Sequence, residues 1–320
     1  MARDTPRHGA GHSAAAWYRL DPEVVVRRVG GRMKIAVLGL GLMGAAIAQR
    51  LRRQGLDVIG WNRTLHKARS LSDQGVATVT TAAEAIGRAQ VVVLLLSDAA
   101  AIAETLFSPG TRERLAGRCV LQMGTIAPSE SRDIAVEVVA AGGEYMEAPV
   151  LGSLPEARDG RLIVMAGGEE TLFEHCLPVL EALSREPRLI GIVGQGAALK
   201  LAMNQLIAGL TATFSLSLGL VRSQGIEVEQ FMALLRSSAL YAPTFDKKLD
   251  KYLTHEYGKA NFPLKHLFKD VRLFRRVAEG AGLDAALVDP IEHAFLRALE
   301  KGYADQDYSA LYEVLVPPTQ

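Results

Sequence analysis

From Met33 onward the chain alternates short apolar runs with longer amphipathic stretches. The runs MKIAVLG, DVIGW, QVVVLLL, CVLQM, EYMEA, RLIVMAG and RLIGI each stop after five to seven residues. Runs of that length predict strands, and QVVVLLL, whose apolar residues do not alternate, predicts one buried on both faces. The segments between them carry helical spacing, so the first half predicts a mostly parallel sheet wrapped by helices. After Gly196 the strand signal stops: VEQFMALLRSS, FKDVRLFRRVAEGA and IEHAFLRALEKG all read as helices. The stretch 197–222, apolar on most faces and rich in small residues, predicts a long helix buried between domains or subunits. Residues 33–194 are therefore expected to form an α/β domain and residues 195–320 an all-helical one. Residues 1–32 mix arginines with acids and lack a continuous apolar core, which predicts a mobile extension without catalytic groups.

Composition narrows the function. A chain of 320 residues is long enough for two cores, and 36 Lys and Arg against 35 Asp and Glu leave a formal net charge of +1. No strong field is available to hold a nucleic acid or an anionic membrane, so a small-molecule partner is expected. The two cysteines, Cys119 and Cys176, have neither metal-ligand nor disulfide-framework spacing, which predicts no metal site and a reducing, cytoplasmic compartment. The apolar run Val91–Leu96 is too short to cross a bilayer, and Leu206–Val221 is interrupted by Thr and Ser, so no membrane partner is expected.

The first strand runs into GLGLMG, in which Gly39, Gly41 and Gly44 make G-x-G-x-x-G ahead of a helix. That context is the one in which the motif binds a dinucleotide. Gly39 permits the turn, Gly41 lets the backbone approach a pyrophosphate, and Gly44 allows close packing, with Leu40, Leu42 and Met43 between them. The first domain is thereby read as a Rossmann domain. At the end of the second strand, where an NAD site carries an acid, this chain has Asn62, Arg63 and Thr64, with Lys67 one turn on. Arg63 offers a fork of donors to a 2′-phosphate, so NADPH is expected ahead of NADH.

A second cluster, GIVGQGAALKLAMNQ, opens the long helix with Lys200 and Asn204 four residues apart on one face. Hydride reduction of a carbonyl needs a proton for the developing alkoxide, and an ammonium beside the oxygen both polarises it and supplies that proton. Lys200 sits among Ala197, Ala198, Leu199, Leu201 and Ala202, surroundings that lower a lysine pKa toward a general acid's working range. Asn204 can hold the carbonyl, the lysine or the nicotinamide ribose in register.

Taken in order, GLGLMG, WNRT, TIAP, APVLGS, GQGAALKLAMN and LFKDVRLF resemble the β-hydroxyacid dehydrogenases, the 3-hydroxyisobutyrate dehydrogenase-like family. WNRTLHK, PEARDGRLIVMAGG and NFPLKHLFKD look most similar to its glyoxylate/succinic semialdehyde reductase branch. The resemblance implies NADPH-dependent reduction of a small aldehyde acid, or the reverse oxidation of a hydroxy acid, by a homodimer or homotetramer built on the long helix. It implies Lys200 as proton donor with Asn204 beside it. It places Leu96, Ser97, Thr125 and Lys269 at the cofactor, and Thr125, Leu151, Gly152, Ser153, Phe262 and Lys269 with Lys200 and Asn204 at the substrate. Asp270 is expected to be structural, restraining Lys269. Leu151 departs from the family, which usually has Ser there; this removes a hydroxyl from the expected carboxylate site and leaves the N–H groups of Gly152 and Ser153 to bind an anion. An imine reductase of the same fold and a noncatalytic dinucleotide-binding protein are the competing readings, and Lys200 argues against both.

Overall fold

A computed structural model of the protein describes residues 33–316 apart from 65, 67–70 and 73. The expected extension 1–32 and Lys67 lie outside the described residues. Strands and helices alternate through β1 (Lys34–Leu38), α1 (Leu42–Arg53), β2 (Asp57–Trp61), β3 (Ala77–Thr78), α2 (Ala82–Arg88), β4 (Val91–Leu94), α3 (Ala99–Leu106), β5 (Cys119–Gln122), α4 (Pro128–Ala140) and β6 (Glu144–Glu147). After them come β7 (Val150–Leu151), α5 (Leu154–Asp159), β8 (Ile163–Gly167), α6 (Glu170–Leu183) and β9 (Arg188–Gly191). The sheet order is β3-β2-β1-β4-β5-β6-β8-β7, with β9 paired to β8.

Strand residues point alternately to the two faces, and both faces are covered. Ile35, Val37, Val91, Val93, Cys119, Leu121 and Met146 enter one core. Ala36, Leu38, Val92, Leu94, Val120 and Tyr145 enter the other. This double burial is why the strands read as unbroken apolar runs. All pairings from β3 to β6 are parallel, so the loops after β1, β4, β5 and β6 gather along one carboxyl edge. Beyond β6 the sheet departs from the expected parallel pattern, because β8 runs antiparallel to β6 and to β7. The connection from β6 to β8 is spent on β7, which pairs antiparallel with β8, and on the six-residue α5, so no long helix carries the chain back for a parallel return.

From Gln195 the described residues are helical: α7 (Gln195–Ser223), α8 (Val228–Ser237), α9 (Pro243–Thr254), α10 (Leu264–Gly280), α11 (Asp289–Glu300) and α12 (Tyr312–Leu315), with short 3-10 turns. The hydroxyls expected to interrupt the long apolar stretch do not do so. Thr211, Ser215 and Ser217 donate to the carbonyls of Ile207, Thr211 and Thr213, one turn back, and α7 runs unbroken for 29 residues. By length and composition alone it could cross a bilayer. One face, with Ala197, Lys200, Leu201, Asn204, Ala208, Thr211, Ser215 and Leu218, is buried. Leu206, Leu216 and Leu220 lie exposed elsewhere on it.

A carboxylate joins sheet to helix. Glu147, at the end of β6 and fully buried, accepts the N–H of Gly194 at 2.8 Å and that of Ala197 at 2.9 Å through one oxygen. Its other oxygen accepts the Ser131 hydroxyl. Two of the N–H groups left free by the first turn of α7 are satisfied in this way. At Gly196 a Cβ would stand 2.4 Å from the Met165 carbonyl, so only glycine lets the helix begin this close to the sheet.

Candidate active site

The glycine turn has the form its sequence predicts. Gly39 sits at φ +99°, and a Cβ there would be 2.4 Å from the Leu95 carbonyl; a Cβ on Gly44 would be 1.8 Å from the carbonyl of Gly39. At Gly41 a Cβ would meet nothing within 4 Å. The first turn of α1 carries no acid, and no side chain caps it. An open backbone at a helix N-terminus with free N–H groups suits a diphosphate, and the residues present therefore fit a dinucleotide. Leu40 is buried, while Leu42 is exposed on the helix beside the half-buried Met43.

The end of β2 divides its work. Asn62 accepts the Leu40 N–H at 2.9 Å and donates to the Thr64 carbonyl at 3.1 Å, so it braces the two loops against each other. Arg63 and Thr64 are exposed. Among the described residues the Arg63 guanidinium is held by Glu104 of α3, at 3.3 Å, with both side chains more than two-thirds exposed, a contact too weak to withhold it from a ligand.

Lys200, Asn204, Asp270 and Lys269 form one connected chain. Lys200 Nζ donates to Asn204 Oδ1 at 2.9 Å, and Asn204 Nδ2 donates to Asp270 Oδ2 at 2.6 Å. Lys269 Nζ lies 3.0 Å from Asp270 Oδ1 and donates to the Thr125 carbonyl at 2.5 Å. With a cation on one side and a carboxylate on the other, the Asn204 amide has a single satisfactory orientation. Lys200 is 8% exposed and Asn204 is fully buried. Burial pulls the Lys200 ammonium down to about 8; Asp270 opposes this and Lys269 adds to it. Burial raises the Asp270 carboxyl, and Lys269, Lys200 and the Asn204 amide draw it back.

Asp270 thus does more than restrain Lys269: it also fixes Asn204, and through Asn204 the lysine ammonium. Sequence reading missed this second role, although adjacency to Lys269 in LFKD was the available signal. Asp270→Asn is expected to lower turnover roughly tenfold or more and to move the alkaline limb of the carbonyl-reduction profile to lower pH. The sign follows from Asp270's attraction, which raises the Lys200 pKa; a limb that stays in place while activity falls would show a merely structural role.

Around this chain lie the other predicted residues. Leu96 and Ser97 follow β4; Ser97 is exposed and its hydroxyl donates to Asp98 at 2.9 Å. The Ala101 N–H, with smaller help from Ser97 and Lys269, holds the Asp98 carboxyl below its ordinary value. Thr125, half-buried, follows β5 on the same edge. Phe262 packs edge-on against Tyr308, with ring centres 5.9 Å apart. An open groove of about 500 Å³ starts at Lys269 and runs along α10 past Arg272 and Arg276.

The loop after β6 differs from the expected anion site. Ser153 donates its N–H at 2.8 Å and its hydroxyl at 2.5 Å to Glu156, the third residue of α5. Lys247 of α9 reaches across to the other Glu156 oxygen at 2.7 Å. The Ser153 groups expected to meet a ligand already hold a carboxylate of the chain. Ser-x-x-Glu is a capping-box spacing, so this was readable in SLPE.

Comparisons with known proteins agree with this layout. The NAD binding domain of 6-phosphogluconate dehydrogenase matches residues 34–194, and the NAD-binding domain of NADP-dependent 3-hydroxyisobutyrate dehydrogenase matches residues 194–315. Glyoxylate/succinic semialdehyde reductase 1 of Arabidopsis thaliana is 32% identical over 285 residues, covering 88% of this chain and 98% of that protein. A solved 3-hydroxyisobutyrate dehydrogenase from Salmonella typhimurium is similar with a TM-score of 0.78 at 24% identity, covering 88% of this chain and 99% of its own. An imine reductase from Myxococcus stipitatus in complex with NADP+ gives 0.60 at 20% identity, covering 88% and 99%.

Proposed function

This chain belongs to the β-hydroxyacid dehydrogenase family of NAD(P)-dependent oxidoreductases, on the glyoxylate/succinic semialdehyde reductase side, and from that premise we propose that it reduces a small aldehyde acid of the glyoxylate or succinic semialdehyde class with NADPH. The same site run in reverse oxidises a 3-hydroxy acid such as 3-hydroxyisobutyrate. The observation that carries the reading is the buried chain Lys200–Asn204–Asp270–Lys269 ending on the Thr125 carbonyl, because it holds a proton-bearing ammonium beside the carboxyl edge where open α/β sheets take ligands.

The reduced nicotinamide, when bound, supplies the hydride. Gly39, Gly41 and Gly44 with the first turn of α1 cradle the diphosphate, and Arg63 with Thr64 grips the 2′-phosphate. Lys200 gives its proton to the carbonyl oxygen as negative charge develops there, a contribution of general acid catalysis. Asn204 keeps the ammonium aimed, and Asp270 keeps Asn204 from turning. Burial around Lys200 excludes the water that would weaken its field.

A purified-enzyme screen of glyoxylate, succinic semialdehyde and 3-hydroxyisobutyrate with each cofactor, read by nicotinamide absorbance, tests the activity. Turnover of a cyclic imine faster than any aldehyde acid would favour the imine reductase reading, and no turnover of any carbonyl the noncatalytic one. Arg63→Ala is expected to weaken NADPH about tenfold while NADH binding changes little; equal losses would refute the 2′-phosphate assignment. Leu206, Leu216 and Leu220 of α7 form the apolar surface that we assign to self-association with a second copy. Light scattering on Leu206→Glu is expected to show dissociation, and an unchanged mass would reject that surface.

A further inference from the structure

The turn after β7 binds an anion in this structure, and the anion is the chain's own. Ser153 directs both its N–H and its hydroxyl to Glu156, and Lys247 clamps that carboxylate from the helical side. Burial pushes the Glu156 carboxyl up, but Lys247 and Ser153 outweigh it and hold the group down to about 2, so at neutral pH it stands ionised, paired with the Lys247 ammonium. Its side chain is 19% exposed, and solvent screens it little. Leu151, half-buried one residue before Gly152, presents methyl groups on the same turn. At Gly152, φ is +137°, and a Cβ would be 2.8 Å from a Leu162 methyl, so the turn cannot be rebuilt by bulkier residues. Strand β7, which carries Leu151, packs against α7, the helix of Lys200 and Asn204.

We propose that Glu156, together with Leu151, excludes substrates that carry a carboxylate on the reacting carbon, and that the aldehyde acid reduced here holds its carboxylate at least two carbons away. The inference deepens the proposed function and rests on it for the reacting group. A carboxylate bonded directly to the carbonyl carbon has no freedom to turn aside: on the turn after β7 it would meet the Leu151 side chain and find the Ser153 N–H and hydroxyl already taken by Glu156. Two methylenes give a succinic semialdehyde-type molecule contact with Leu151 and let its carboxylate point elsewhere. The groove opening from Lys269 offers cations for it, since Lys269, Arg272, Arg275 and Arg276 line it; their present partners are carboxylates of the chain, Glu130, Asp270, Glu279, Asp289 and Glu292, most of them partly exposed.

The test compares kcat/KM for succinic semialdehyde and glyoxylate in the wild type, Glu156→Ala and Glu156→Gln. The wild type is expected to favour succinic semialdehyde by about tenfold or more, and Glu156→Ala to shrink that ratio about tenfold by freeing the Ser153 donors. Glu156→Gln, which keeps an acceptor for Ser153 and so preserves the helix cap, is expected to shift the ratio the same way by about threefold. A second readout needs no turnover: oxalate, added to the NADP+-loaded protein, should raise the melting temperature of Glu156→Ala and leave the wild type unmoved. Glyoxylate used as well as succinic semialdehyde by the wild type, or oxalate stabilising both proteins equally, would overturn the proposal. If neither aldehyde is reduced by any variant while oxalate still distinguishes them, the exclusion by Glu156 stands and the aldehyde reductase reading falls.

Discussion

Lys200→Ala is expected to lower kcat by roughly 10²- to 10⁴-fold, the range for loss of a positioned general acid, while NADPH affinity stays nearly unchanged. The separation follows from the fold. In the proposed site, cofactor affinity rests on the turn Gly39–Gly44 and on Arg63 at the end of β2, whereas Lys200 rises from α7 and donates to Asn204. The same assignment fixes the pH dependence. With the ammonium drawn down to about 8, carbonyl reduction, which needs the proton on Lys200, declines as pH rises through that value. Alcohol oxidation needs the free amine and should gain over the same interval. A variant whose KM rises while kcat stands would make Lys200 a binding residue and remove the proton donor from the mechanism.

Glu147→Ala should cost about 3 kcal/mol of stability, read by urea or thermal unfolding, because it leaves the Gly194 and Ala197 N–H groups buried without an acceptor, while the Ser131 hydroxyl keeps only its bond to the Tyr145 hydroxyl. Glu147→Gln keeps an acceptor for the helix and should lose roughly half of that. Activity is expected to fall along with stability in the alanine variant, since the first turn of α7 sets where Lys200 begins its reach. A melting temperature unmoved by alanine would mean that water or a local shift satisfies those donors, and that the junction is looser than its hydrogen bonds imply.

The sequence was most legible where one residue type answers one demand. Seven strands announce themselves as apolar runs, most of them because helices seal both faces although β9 stays partly exposed, and β3 and β7 escape notice because two residues make no pattern. The glycines of the turn are readable since only a missing side chain permits a carbonyl to stand 1.8 Å from where the Gly44 Cβ would be. Lys200 and Asn204 are one helical turn apart and their pairing is legible in the sequence. The pairings of Glu147 and Asp270 are not, because their partners lie 47 and 66 positions away and no local rule says which donor a buried acid will find. Ser153 is the instructive case: its N–H suits a ligand's carboxylate or that of Glu156 equally well, and only the three-dimensional arrangement shows which one it holds.

Two ammonium groups lean on the single carboxylate of Asp270, Lys269 directly and Lys200 through Asn204, so the cluster carries one unit of positive charge in excess. In the proposed reduction, surrender of a proton by Lys200 cancels that unit. Recharging from solvent must precede the next reduction, which links the enzyme's cycling to proton supply at the mouth of a nearly sealed lysine.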